Sequence, residues 1–291
     1  MTENPESRTD DVKICADHVR NNDPDRYLCA MFTPVIARPA LMSLYAFNIE
    51  LALVRERVNE QLLGEMRFQW WREQIDHSYE GTARPEGIAG ALYDFIRDYN
   101  PPRHCFHDLI NSRTRDLSDG PFKDLIAFED YCSGTTAPLI QLSLVPLAPK
   151  GSHDLIPEPL ARNMGVAWAI IGLIRAIPTN AAHGRCMIPL SLMEHYGVTR
   201  EAVFSNQTRS ILKHIARDMA ASAQIHLESA RVQIYSANDA LFPGFLPLVM
   251  ADYYLRSLQK SEYDPFHARV QHPNSAVRAL RLMFAAWRKR C

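Results

Sequence analysis

The densest group of potential metal ligands is formed by His104, Cys105 and His107, three side chains within four residues. Imidazole and thiolate are ligands that Zn²⁺ prefers, but a structural zinc site needs four of them, and the sequence has no second group at ligand spacing. Serine, histidine and aspartate residues are plentiful, yet no G-x-S-x-G elbow presents a nucleophile. Walker A and G-x-G-x-x-G loops, which bind nucleotide phosphates, are also missing. The residues therefore support a metal site weakly and a hydrolase or a nucleotide-binding protein not at all.

Composition excludes further classes of function. The 291 residues contain 32 Lys plus Arg against 33 Asp plus Glu, and this balance argues against a nucleic-acid binder, which usually has a basic face. Six scattered cysteines without a C-x-x-C pair indicate a reducing compartment. The acidic N-terminus resembles neither a secretory signal nor an Arg-rich mitochondrial presequence. The uncharged residues 134–149 are too short to cross a bilayer and include three prolines. We therefore expect a soluble, cytoplasmic protein.

Helical periodicity dominates the chain, and the alternation typical of strands is nearly absent. The pattern predicts an all-α protein of about ten helices. One domain is expected over residues 11–291, after a disordered acidic tail at residues 1–10, with Asp10 and Asp11 placed to cap the first helix. The predicted helices cover residues 11–20, 40–60, 64–79, 88–99, 105–117, 122–137, 163–177, 207–236, 243–258 and 275–289.

Three stretches of the chain carry a resemblance to a known family. Residues 44–47 read LYAF, residues 115–132 contain RDL followed by FEDYC, and residues 165–189 contain GLIRAIP, then GR and a final IP. In order and spacing these stretches resemble the squalene/phytoene synthase family, and the resemblance covers nearly the whole chain. It implies an isoprenoid-synthase-type helical bundle. In members with activity, two facing helices carry carboxylates that bind Mg²⁺, which neutralises the prenyl diphosphates that these enzymes join head to head.

The acidic motifs of that family are degenerate in this sequence. The first motif, F-C-R-x-x-D-D-x-x-D, reads FNIELALVRE at residues 47–56, where Ala52 and Leu53 replace adjacent aspartates and only Glu56 keeps an acid. The second motif, R-D-x-x-E-D, reads RAIPTN at residues 175–180, where its three acids are replaced by Ala176, Thr179 and Asn180. A lone Glu56 cannot bridge several magnesium ions to two diphosphates. The resemblance therefore implies a pseudoenzyme with no catalytic residues, metal or cofactor.

One branch of the family shares this loss, namely the mitochondrial respiratory complex I (NADH dehydrogenase) assembly factors and their bacterial relatives. The chain resembles that branch at residues 47–54, 66–72, 173–178 and 286–289, and the acidic N-terminus fits a bacterial member. The resemblance implies a non-catalytic role in complex I assembly, with a complex I subunit or a prenyl or quinone-like lipid as partner. The side chains expected to line a ligand or partner cavity are Tyr45, Asn48, Glu50, Arg175 and Arg185.

Two other functions stay open. In the first, the chain is an isoprenoid synthase with rearranged ligands, in which Glu50, Glu56 and Asp116 converge on Mg²⁺. In the second, it is a prenyl-lipid binding protein. Arg175 and Arg185 either remain from a diphosphate-binding lip or pair with Glu50 or Glu56, because an arginine near an apolar helix needs a partner.

Two segments allow both a structural and a binding interpretation. Residues 66–72 contain two tryptophans and a phenylalanine, which either form a core helix or present a surface for a partner or a prenyl chain. Near the C-terminus, one helical stripe of Val277, Leu280, Phe284 and Trp287 lies beside five basic residues. That helix either packs onto the domain or rests on an anionic membrane surface, which would make the protein peripheral at the inner membrane.

Overall fold

The computed structural model describes residues 5–118, 120–149, 157–205, 208–235 and 237–291. Within these ranges the regular structure is helical apart from one isolated bridge between Phe122 and Pro189, so the predicted all-α class is confirmed. The described α-helices are α1 (Pro5–Asn22), α2 (Pro24–Ala30), α3 (Arg38–Ala52), α4 (Val54–Arg57), α5 (Gln61–Glu80), α6 (Gly87–Tyr99), α7 (Arg103–Arg113), α8 (Leu125–Leu144), α9 (Glu158–Arg175), α10 (Ile177–Ala182), α11 (Leu190–His195), α12 (Arg200–Val203), α13 (Arg209–Ile234), α14 (Leu246–Lys260), α15 (Ala268–Gln271) and α16 (Ser275–Arg288).

The helix predicted over residues 40–60 is interrupted, because α3 ends at Ala52 and the short α4 follows after Leu53. The helix predicted over residues 163–177 ends at Arg175, and Pro178 lies in the first turn of α10, where a missing N–H costs nothing. The helix predicted over residues 122–137 continues to Leu144 with a proline inside it. Both ends of the predicted helix 207–236 lie outside the described residues.

The N-terminal prediction needs correction. Helix α1 begins at Pro5, so residues 5–10 are helical rather than part of a disordered tail, while residues 1–4 lie outside the described part of the chain. Arg8 explains the early start, because it forms ion pairs with Asp94 and Asp98 on α6 at 3.1 and 2.8 Å. Asp11 does not cap α1 but accepts a hydrogen bond from the Gly87 N–H at the start of α6, at 2.7 Å.

The structure divides into two compact units, whereas the sequence predicted one domain. The first consists of residues 1–117, 138–158 and 237–246, as far as these are described. In it α1, α3 and α6 pack together, and α5 and α7 complete the packing. Phe47 on α3 lies at its centre, with its ring 5.0 Å from that of Trp71 and 5.9 Å from that of Phe106, both edge-on. Its core is continuous and apolar.

The second unit consists of residues 118–137, 159–236 and 247–291, again as far as described. Helix α13 is linked to α9 by a hydrogen bond from the Asn163 amide to Gln233 at 3.0 Å. Helices α8 and α9 approach closely at Gly165, since a Cβ there would lie 2.7 Å from the Ala137 backbone nitrogen. Glycine is therefore required at this crossing. No described helix of the chain is long and apolar enough to cross a bilayer.

Candidate functional site

The first degenerate motif lies in the first unit, at the junction of α3 and α4. The side chains of residues 41–49 are buried, so α3 is a core helix on nearly all of its surface. Ala52 and Leu53 end the helix half-buried, and Glu56 is exposed on α4. Two of the three acid positions are therefore apolar, and the third faces solvent.

Glu50 is less exposed than Glu56, and each of its two carboxylate oxygens lies close to a basic side chain. Arg57 Nη1 donates to Glu50 Oε2 at 2.6 Å, and His18 Nε2 from α1 lies 3.2 Å from Oε1. The Asn22 amide in turn lies 3.3 Å from His18 Nδ1. Glu50 thus joins α1, α3 and α4. Sequence reasoning missed Arg57, although its spacing of seven residues from Glu50 matches two helical turns.

Tyr45 and Asn48 lie on the same helix, five and two residues before Glu50, and both are buried. Burial raises the pKa of Tyr45 far above its ordinary value, so the phenol stays protonated. The Asn48 Oδ1 is buried without a hydrogen-bond partner among the described residues. An unsatisfied buried acceptor costs about 1–3 kcal/mol. A donor supplied by a ligand or by water would recover that energy.

Asp116 follows α7 in a 3-10 turn, Thr114–Leu117, of the same unit. Arg113 Nη1 donates to Asp116 Oδ2 at 3.2 Å, so this carboxylate too has a cationic partner. Across the described residues, no group of three or more His, Cys, Asp and Glu side chains could hold a metal ion. Glu50, Glu56 and Asp116, the acids that a rearranged site would need, do not form such a group in the described part of the chain.

The second degenerate motif lies in the second unit, between α9 and α10. The guanidinium of Arg175 lies 3.5 Å from the ring centroid of the buried Tyr254, and Gln271 Nε2 donates to the Arg175 carbonyl at 2.9 Å. Ala176 is half-buried in the link between the helices, Thr179 is exposed and Asn180 is half-buried. The stacking on Tyr254 gives Arg175 a structural position that does not depend on a diphosphate.

Arg185 follows the turn that closes this segment. Its backbone N–H donates to the Asn180 carbonyl at 2.9 Å, and Gly184 before it has a φ of +68°. A left-handed φ favours glycine, which explains why a glycine precedes the arginine. The side chain of Arg185 is half-buried.

The group of His104, Cys105 and His107 is explained by packing and an ion pair. Burial raises the pKa of the Cys105 thiol to about 12, and its Sγ donates to Gln141 Oε1 at 3.2 Å. His107 Nε2 lies 2.8 Å from Asp76 Oδ1, which Arg103 also contacts. Cys105 and His107 therefore each have a partner within the protein, Gln141 and Asp76.

The aromatic segment at residues 66–72 divides between two faces of α5, one in the core and one exposed. Phe68 and Trp71 are buried in the core, whereas Met66 and Trp70 are exposed. Leu62 and Leu63, which the sequence analysis did not single out, extend the exposed side, and we name the four exposed residues the α5 stripe. A groove of about 700 Å³ beside it is lined by Glu65, Met66, Gln69, Trp70, Arg72, Glu73 and Thr114.

Known proteins similar to this chain fall into two groups. A Bos taurus protein named NADH dehydrogenase (ubiquinone) complex I, assembly factor 6, is 29% identical over 278 residues, which are 96% of this chain and 82% of that protein. The Homo sapiens protein of the same name is 27% identical over 275 residues, 94% of this chain and 81% of that protein. A phytoene synthase from Arthrospira platensis is 21% identical over 288 residues, 92% of this chain and 90% of that protein.

Solved structures show the same fold. A dehydrosqualene synthase in complex with a ligand superposes with a TM-score of 0.83 at 16% identity and covers 97% of both chains. A squalene synthase from Alicyclobacillus acidocaldarius superposes with a TM-score of 0.74 at 18% identity, covering 90% of this chain and 98% of the other. The expected isoprenoid-synthase-type fold is thus confirmed. Residues 19–276 match the squalene/phytoene synthase family, and this chain therefore belongs to it.

Proposed function

We propose that this protein is a non-catalytic member of its family that acts in the assembly of respiratory complex I (NADH dehydrogenase). The observation that carries the proposal is the replacement of both acidic motifs, with Ala52 and Leu53 in one and Ala176, Thr179 and Asn180 in the other, on a scaffold that is otherwise retained. Relatives named complex I assembly factor 6 align with 94–96% of the chain. A role in assembly needs the scaffold and its surface but no metal.

The remaining carboxylates support a pseudoenzyme rather than a rearranged synthase. Glu50 and Asp116 are tied to Arg57 and Arg113, and Mg²⁺ would have to displace those cations before it could bind. Of these three carboxylates, Glu56 is the exposed one, on α4. Loss of prenyl transfer follows, because the leaving diphosphates would have no metal to neutralise them.

The α5 stripe is our candidate for the surface that contacts a complex I subunit. Its members recur at helical spacing, with Leu62, Met66 and Trp70 each four residues apart. The adjacent groove gives an apolar side chain of a partner a place to insert, which is how amphipathic helices are recognised. Phe68 and Trp71 hold the helix to the core from the other side, so the stripe is presented on a rigid element.

We place this activity in the cytoplasm, beside the inner membrane. The cysteines support a reducing compartment, since the chain forms no disulfide and Cys15, Cys29, Cys105, Cys132 and Cys186 are buried as thiols. A partner in a membrane complex requires the protein to work close to that membrane.

A prenyl or quinone-like lipid is the second candidate partner, and Asn48 is the observation that favours it. Its buried, unsatisfied Oδ1 would accept a hydrogen bond from a polar head group whose tail lies among apolar side chains. Native mass spectrometry of the purified protein would reveal such a lipid, and Asn48→Leu should release it while leaving the fold intact.

A deletion strain tests the assembly role. We expect membranes of that strain to lose NADH:quinone oxidoreductase activity, with unchanged cellular squalene and carotenoid content. Wild-type protein should restore the activity, and Leu62→Gln with Met66→Gln should fail to do so. The matched control is Val35→Gln with Ile36→Gln, which removes equally exposed apolar side chains outside the stripe. Normal activity with altered squalene or carotenoid content would overturn the proposal in favour of a synthase.

A further inference from the structure

Helix α16 of the second unit has apolar side chains on the face that points to solvent. Leu280 is 58% exposed and Trp287 is 78% exposed, and Val277, Met283 and Phe284 are also exposed. At 100° per residue, these five positions fall within one arc of the helix that contains no charged residue. We name them the α16 face. A surface helix normally has polar residues on its outward arc, so this arrangement indicates a contact with something apolar.

The opposite arc of α16 is fixed to the protein. Leu282 and Ala285 are buried, and the Arg278 guanidinium donates to Tyr254 Oη at 3.4 Å and to Ser275 Oγ at 3.1 Å. The side chain of Asn274 accepts from the Val277 N–H and caps the first turn. The helix is therefore already formed and held in place, so binding to its outward face requires no folding of the segment.

Charge identifies the kind of surface that the α16 face fits. The last 17 residues, 275–291, contain five basic residues and no acid, whereas the whole chain has a net charge of −1. Arg278 is buried and Arg281 pairs with Asp252 Oδ2 at 3.5 Å, whereas Arg288, Lys289 and Arg290 are exposed beside or beyond the apolar arc. The Arg288 guanidinium lies 4.5 Å from the Phe284 ring centroid, at the edge of that arc.

We propose that the α16 face binds an anionic membrane surface, with its apolar side chains among the lipid tails and its basic residues among the phosphates. Short amphipathic helices with tryptophan, phenylalanine and leucine on one side and flanking Lys or Arg bind bilayer interfaces in this way. Each basic residue near an anionic leaflet strengthens binding by about fivefold. The proposal stands independently of the assembly role.

The test is co-sedimentation of the full-length protein with vesicles of phosphatidylcholine alone or mixed with phosphatidylglycerol. We expect binding to the mixed vesicles and little to the neutral ones. Leu280→Gln with Trp287→Gln should weaken binding at least tenfold, because both side chains are exposed and belong to the apolar arc. Lys289→Glu with Arg290→Glu should weaken it by about tenfold or more, and 0.5 M salt should have a similar effect.

The control variant is Val35→Gln with Ile36→Gln, whose side chains are 72% and 82% exposed but lie in the first unit. It should bind the mixed vesicles like the wild type. Equal binding to neutral and mixed vesicles, or full binding by the Leu280/Trp287 variant, would overturn the proposal. So would a dimer that forms without lipid and is lost in that variant, because the face would then contact a second copy. In each case the deletion phenotype still reports separately on the assembly role.

Discussion

Helices α3 and α16 are both rich in apolar residues, but they use them in opposite directions. Helix α3 is buried on nearly all of its surface. At its end, the half-buried Ala52 and Leu53 occupy the positions where the family motif has adjacent aspartates. Helix α16 buries Leu282 and Ala285 and turns its larger apolar side chains to solvent. This difference is the one that our two proposals expect, with a structural role for the interior motif and a contact with a partner or a membrane for the exposed apolar surface.

The largest effect expected from this comparison is on stability. Phe47→Ala should destabilise the protein by about 3–5 kcal/mol, because it removes a fully buried ring from the packing with Trp71 and Phe106. Trp287→Ala should change stability by less than about 0.5 kcal/mol, since that ring is exposed. Urea denaturation followed by circular dichroism measures both changes. Similar losses for the two variants would break the comparison.

A variant of Glu50 distinguishes a structural role of this carboxylate from a role as a metal ligand. Glu50→Gln should cost about 1–3 kcal/mol of stability, because Arg57 would lose a charged acceptor and His18 a carboxylate 3.2 Å away. Glu56→Gln, the matched control on the exposed α4, should change stability by less than about 0.5 kcal/mol. The same denaturation experiment measures both. A Glu50→Gln variant of wild-type stability that has lost Mg²⁺ binding would show that the carboxylate is a ligand.

Variants of Arg175 distinguish a structural role from ligand binding in the second motif. Arg175→Ala should lower stability by about 1–2 kcal/mol, because the guanidinium stacks on the buried Tyr254 ring. Arg175→Lys should recover only part of that loss, since an ammonium cannot stack as a planar guanidinium does. Thermal unfolding of the two variants beside the wild type measures this order. Equal stability of all three proteins would indicate that Arg175 is kept for a ligand instead.

The smallest expected effect concerns pH. Desolvation opposes ionisation of Asp264, but hydrogen bonds from Arg209 and the Phe266 N–H outweigh it and hold the pKa of Asp264 below its ordinary value. A lowered pKa in the folded state stabilises the protein above the unfolded value of about 3.9, and this contribution is lost as the pH falls through the folded value. Arg209→Gln should therefore cost about 1 kcal/mol at pH 7, a modest figure because Arg209 is half-exposed.

Urea denaturation of the wild type and of Arg209→Gln between pH 7 and pH 2 checks this prediction. The difference in unfolding free energy should shrink as the pH falls below 4. A difference that stays constant over the whole range would mean that Arg209 stabilises the protein by packing rather than through the Asp264 carboxylate.

Much of the fold could be predicted from the sequence because its signals are local. Apolar periodicity indicated the main helices, and the predicted end of α9 at residue 177 lies close to the observed end at Arg175, just before Pro178, which has no N–H to continue a helix. The break after Ala52 has no such signal, because neither proline nor glycine stands there. The early start of α1 depends on ion pairs with α6, which only the tertiary structure brings together.

The candidate site could be predicted in part. The loss of acids at Ala52, Leu53, Ala176, Thr179 and Asn180 can be read from the residue types alone. The spacing of Arg57 from Glu50 could be read in the same way, but His18 could not be predicted as a neighbour of Glu50, because it comes from a helix distant in the chain. The α5 stripe could be predicted only from Met66 onward, because only burial separates the two faces of that helix and adds Leu62 and Leu63 to the exposed one.

We propose that the motif positions do not bind magnesium and diphosphate. Isothermal titration of the purified protein with farnesyl thiodiphosphate, with and without Mg²⁺, is the most direct test. We expect no magnesium-dependent binding, so that the two titrations give the same result. An affinity that Mg²⁺ raises by tenfold or more would contradict it and show that carboxylates of this chain still converge on metal.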